Sequence, residues 1–214
     1  METINKGEPV VALKTNNGIF IATGKCQNSS TYSNFEFSNK IFLLEENIFC
    51  VISGSYPDAH VLIDHARNQA QLFKKNFQEI IPIKRVLDII CDIKQSFTQT
   101  GNKRPFGTSL LIIGFDPVDG FQIYRTEPSG NFSKWNAVAS GSNSVQNQNI
   151  LDLEFKKNMS TEESLKIAIK LFYKKIRNHK ISRSVEIFVL KSDDKQRIVF
   201  NCLTSSEVDS IIKA

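Results

Sequence analysis

The chain has 214 residues, 41% apolar and 23% charged, which suits one globular domain spanning 1–214 with a sizeable core. A net charge of +5 and a pI near 9.0 are mild, and the lysines are spread along the chain, so no nucleic-acid partner is expected. No apolar run approaches the ~20 residues of a membrane span and no apolar signal segment opens the chain, so the expectation is a cytoplasmic and nuclear protein with no membrane role.

In chain order, "PVVALKT", a turn at "NNG" and "IFIA" read as a tight hairpin, with Asn-Gly supplying the left-handed residues such turns use. "KIFLLEENIFCVISG" repeats the device around Glu45-Glu46-Asn47. Pro57-Asp58 opens a helix running to about Asn76, with an acid in its first turn. Pro82 opens a second, whose Val86, Ile89, Ile90, Ile93 and Phe97 recur at helical spacing and face a core. Strands then return as "TSLLIIGFD", "FQIYRTE" and "FSKWNAVAS", the first so apolar that it belongs at the centre of a sheet covered on both faces. A short helix begins near Ser144 and a stronger one spans about Thr161 to Arg177, with Leu165, Ala168, Ile169, Phe172 and Ile176 on one face. The basic run from Lys174 to Arg183 suits a solvated helix end. A last hairpin, turning at Asp193-Asp194, and a helix from about Ser205 close the chain.

Strands made by hairpins form antiparallel sheets, and each helix pair offers one apolar stripe, enough to cover one outer sheet face. The expected fold is therefore α+β, a four-layer αββα sandwich of two mainly antiparallel sheets.

The residues alone indicate no reaction. His60 and His65 share a helix but point about 140° apart, so they cannot chelate one metal, and neither metal nor cofactor is expected. No HExxH, phosphate-binding loop or dinucleotide fingerprint is present. Cys26, Cys50, Cys91 and Cys202 show no CxxC spacing; Cys50 and Cys91 lie in apolar runs, as buried thiols do. "ASGSNS", 139–144, reads as a helix cap or as an anion site built from amides. The turn Gly101-Asn-Lys-Arg-Pro-Phe-Gly107 carries two cations and an exposed-looking Phe106 that turn geometry does not require.

With its flanks, "CDIKQSFTQTGNKRPFGTSLLIIGFD", that turn resembles the alpha subunits of the core (20S) proteasome, most like the eukaryotic type-4 branch. "FSNKIFLLEENIFCVISG", "PDAHVLIDHAR", "GFQIYRTEPSGNFSKWNA" and "LKIAIKLFYKKI" follow in the family's order, so the resemblance covers essentially the whole chain. It implies the αββα sandwich of the N-terminal nucleophile hydrolases. Catalytic beta subunits of that family use an N-terminal threonine, assisted by an acid and a lysine. Those positions match Glu8, Gly24 and Lys40, and Glu8 carries no nucleophilic hydroxyl. The resemblance thus implies no catalytic residue and no enzyme. The chain reads as a structural subunit of a seven-membered alpha ring, with other alpha subunits, beta-ring subunits and activator C-termini as partners.

In that setting Lys40 resembles the alpha-subunit pocket lysine that meets an activator's C-terminal carboxylate, and Gly7 matches the small residue of the same pocket. Lys103, Arg104, Pro105 and Phe106 are expected at the ring face, supporting neighbouring N-terminal segments. "METINKG" resembles the second half of the family's first helix; the gate segment before it and the charged C-terminal tail are not found in the sequence as given.

Overall fold

A computed structural model describes residues 4, 7–24, 40–117, 119–176, 185–192, 198–203 and 207, the side chains of 173–176 excepted. The first hairpin, β1 (Val10–Thr15) with β2 (Gly18–Gly24), pairs Thr15 with Gly18 across Asn16-Asn17. Neither asparagine takes positive φ, contrary to expectation. Close packing governs this turn instead: any Cβ on Gly18 would collide with the Leu190 carbonyl of the adjacent strand.

The second hairpin, β3 (Ile41–Glu45) with β4 (Ile48–Gly54), starts the other sheet. Helices α1 (Tyr56–Phe77) and α2 (Ile83–Gln99) follow, then β5 (Thr108–Asp116) and β6 (Gly120–Thr126). β5 lies between β4 and β6 at the centre of its sheet, as its continuous hydrophobicity requires.

"FSKWNAVAS" was expected as one strand, and the structure divides it. β7 (Phe132–Trp135) pairs with β6, whereas β8 (Ala137–Ser140) crosses to pair with β1 in the opposite sheet. The break falls at Asn136, whose carbonyl accepts the Lys14 amide at 2.8 Å. Residue alternation reads the same for one strand or two, so the sequence pattern does not show this change of sheet.

Helices α3 (Ser144–Glu154) and α4 (Thr161–Ile176) precede the hairpin of β9 (Val185–Ser192) and β10 (Ile198–Cys202). α4 starts at Thr161, as expected, and Ser160 caps it: Ser160 N–H donates to Glu163 Oε2 at 2.8 Å, and Glu163 N–H donates to Ser160 Oγ at 3.2 Å. That reciprocal capping box fixes the helix start. Cys26, His179, the basic run beyond 176, the Asp193-Asp194 turn and the C-terminal helix lie outside the described residues, apart from Glu207.

The sheets run β10-β9-β2-β1-β8 and β3-β4-β5-β6-β7. Val10, Ile21, Val51, Leu111, Ile123 and Val138 fill the layer between them. α1 and α2 cover the outer face of the second sheet through Leu62, Ile63, Leu87 and Ile90. α3 and α4 cover the first through Leu151, Leu165, Ala168 and Phe172. The four layers are the expected αββα sandwich. Among the described residues, no helix is long and apolar enough to cross a membrane.

Candidate functional site

One end of the sandwich gathers the residues matched to the family's catalytic positions. Pro9 accepts the Gly24 amide at 3.0 Å, which ties the start of β1 to the end of β2. Lys40 is half-buried and its Nζ donates to the Gly24 carbonyl. Its own carbonyl accepts the Ile52 amide at 2.9 Å. The lysine is therefore held against the backbone at the acid's position, where Gly24 offers no carboxylate. At the threonine's position, Glu8 approaches Gly141 so closely that a Cβ there would strike the Glu8 carbonyl; Gly141 accordingly sits at φ +88°.

Gly7 borders the same end. Its N–H donates to Ile4 at 3.0 Å, its carbonyl accepts the Ser142 amide at 2.9 Å, and a Cβ would lie 2.9 Å from Gly54 N. Gly7 abuts Gly54 while Lys40 bonds Ile52, so both expected pocket residues flank the last residues of β4. The "ASGSNS" loop commits its Ser142 amide to Gly7. Asn143 stands at the helix N-cap with φ 57° but makes no side-chain cap bond. Thr23 Oγ1 and Ser53 Oγ, buried at this end, have no partner among the described residues. Among the described residues, the arrangement brings together a lysine and two buried hydroxyls.

The basic turn is bound inward. Arg104 makes a two-pronged bond to Asp58, with Nη2 2.6 Å from Oδ1 and Nη1 2.7 Å from Oδ2, and the Gly107 amide donates to Oδ2 at 2.8 Å. These donors hold the Asp58 carboxyl below its ordinary value, Arg104 contributing most, against the opposing effect of burial. Phe106, which looks exposed in the sequence, is only 5% exposed and packs on Phe97 at 4.6 Å. Lys103 Nζ lies 4.5 Å from the centroid of the same Phe97 ring. Pro105 is exposed and the Arg104 side chain remains 73% exposed, so this face stays open to further contacts. The turn thus locks the start of α1 to the end of α2 and the start of β5.

The proteasome subunit family matches residues 4–189. Proteasome subunit alpha type-4 of Dictyostelium discoideum is 34% identical over the whole chain and 86% of its own length. The probable proteasome subunit alpha type-3 of Schizosaccharomyces pombe is 29% identical over 99% of the chain and 86% of its own length. The alpha type-4-A subunit of Arabidopsis thaliana is 33% identical over 81% of the chain and 70% of its own length. The chain belongs to the proteasome subunit family. These relatives carry alpha-type names, which favours the structural branch over the beta-like catalytic one.

In this proteasome subunit, sequence reasoning missed Lys94. It lies in the middle of α2, 0% exposed, donating to the Thr108 carbonyl at 3.0 Å and to Thr126 Oγ1 at 2.8 Å. Burial pulls its amine down to about 8. Burial likewise pushes the Cys50 and Cys91 thiols up to about 12 and about 11. The two cysteines are free and buried, and so inert. A signal for Lys94 existed: it follows Val86, Leu87, Ile90 and Cys91 at helical spacing, in phase with the apolar face.

Proposed function

We propose that this chain is a non-catalytic structural subunit of the alpha ring of the 20S proteasome, acting in ubiquitin-dependent protein degradation in the cytoplasm and nucleus. It assembles with other alpha subunits in a seven-membered ring, stacks on beta-ring subunits, and receives an activator's C-terminal carboxylate beside Lys40 and Gly7. The single observation that carries the reading is the degenerate catalytic end. Glu8 stands where a hydroxyl nucleophile belongs, Gly24 where an acid belongs, and Lys40 is tied to the Gly24 carbonyl. A chain processed to begin at Glu8 would still lack the hydroxyl, so no acyl intermediate can form there.

Lys40 suits carboxylate docking as a half-buried point charge at the end of β4 where Gly7 packs against Gly54. The outward parts of Lys103, Arg104 and Pro105 serve the ring face, with Phe106 anchoring the turn from within. Two measurements test this. A covalent inhibitor directed at N-terminal threonines should add mass to beta subunits of the purified particle and none to this chain; labelling of this chain overturns the non-catalytic reading. Particles carrying Lys40→Ala should show a lower ratio of activator-stimulated to basal peptide hydrolysis. The decrease is modest because six other pockets remain, and an unchanged ratio removes Lys40 from the docking site.

A further inference from the structure

On the inner faces of five strands, the apolar alternation gives way to a polar residue at the same end of the sandwich. Ile21 leads to Thr23, Val51 to Ser53, Leu111 to Ser109, Ile123 to Arg125 and Val138 to Ser140. Between Arg125, Ser140 and the start of α3 lies a cavity of about 250 Å3. This is a different place from the Lys40 contact.

An arginine, a serine and a helix start meet there. Arg125 Nε is shut off from solvent and among the described residues has no partner, while Nη2 lies 3.4 Å from Glu127 and the guanidinium carbon 5.0 Å from the Trp135 ring centroid. Ser140 is 3% exposed, lines the cavity, and among the described residues its hydroxyl has no partner. Ser144 and Val145, the first residues of the 11-residue α3, also line it; that helix start lacks a side-chain cap, although the Ser144 amide donates to the Gly141 carbonyl at 3.2 Å. A buried unpaired guanidinium N–H is costly until an acceptor meets it. The ligand must therefore bring oxygen acceptors and negative charge.

We propose that this cavity binds a monocarboxylate bearing a short aliphatic chain. Glu127 already shares Arg125, so a dianion such as phosphate would meet a like charge that one guanidinium cannot offset. Ile4, Pro128 and Val145 supply the apolar wall for the aliphatic part. The carboxylate can come from a free small acid or from an acidic residue of a neighbouring subunit, and the chemistry at Arg125 is the same.

Trp135, the only tryptophan in the sequence, stacks on Arg125 and so reports on the site directly. The purified full chain is titrated with isovalerate, and with neutral isovaleramide at matched ionic strength, while its tryptophan emission is followed. A saturable change with isovalerate, absent with isovaleramide and at least tenfold weaker in Arg125→Gln, is expected. Arg125→Lys, which keeps the charge but loses the Nε donor, should fall in between. Circular dichroism checks that both variants fold. The same titration on assembled particles separates the sources: a retained response means a free acid, and a response lost only on assembly means a neighbour's carboxylate. No saturable response in the free chain, or an equal response to the amide or in Arg125→Gln, overturns the proposal.

Discussion

Replacing Lys94 with methionine tests how the core tolerates a buried amine. Methionine keeps most of the volume, so little cavity forms, and it removes a group held at about 8 by burial instead of the usual 10.5. A base whose folded value is depressed destabilises the fold fully below the folded value, because a charge must be buried. That cost is relieved as pH rises from about 8 toward 10.5. At ~1.4 kcal/mol per pH decade, the full penalty is about 3 kcal/mol near pH 7, and about 2 kcal/mol of it is gone by pH 9.5. The hydrogen bonds to Thr108 and Thr126 offset part of the penalty, and methionine loses them. The absolute difference at pH 7 is therefore small, but its pH dependence is large. Urea unfolding of wild type and Lys94→Met, at one protein concentration from pH 7 to 9.5, should show wild type gaining about 2 kcal/mol relative to the variant. Titration of Cys50 and Cys91 is common to both proteins and largely cancels in that difference. A difference independent of pH would refute the reasoning, since Lys94 would then titrate as an exposed lysine does.

Asp58→Asn should destabilise the chain by about 1–3 kcal/mol at neutral pH, because the Arg104 fork and the Gly107 amide lose their anionic acceptor. Its folded value lies below the ordinary 3.8, so the stability Asp58 supplies is present above that value and lost as pH falls through the lower, folded one. The gap between wild type and variant should narrow as pH falls below 3.8 and close below the folded value, and a gap unchanged through that range argues against the charge pair. Arg104→Ala should cost less than Asp58→Asn, because the exposed guanidinium is screened while Gly107 still donates. Ser160→Ala removes the capping box and should cost about 1 kcal/mol by urea unfolding. Ser160→Asp should preserve most of that stability, and equal losses in the two variants would discount the cap.

The sandwich was legible because its determinants are local. Two short turns fix two hairpins, Pro57 and Pro82 mark two helix starts, and the unbroken apolar run from Leu110 to Ile113 marks a central strand. What stayed hidden depends on distant partners. Asn136 sends β8 to the opposite sheet only because β1 waits there to receive it. Phe106 looks like a surface aromatic until Phe97, nine residues earlier on α2, supplies its packing partner. Arg104 reads as a free contact group until Asp58, 46 residues away in sequence, takes its fork. The absence of a nucleophile at Glu8 was legible from residue type alone. The bond from Lys40 to the Gly24 carbonyl was not, since it joins two hairpins in different sheets.

Membership of the alpha ring is tested most directly by mass spectrometry of the assembly recovered through a tag on this chain, from the cells that make it. The account predicts a large particle holding this chain in stoichiometric ratio with other alpha-type and beta-type proteasome subunits. Recovery of the chain free, or in complexes that contain no other proteasome subunit, would contradict it.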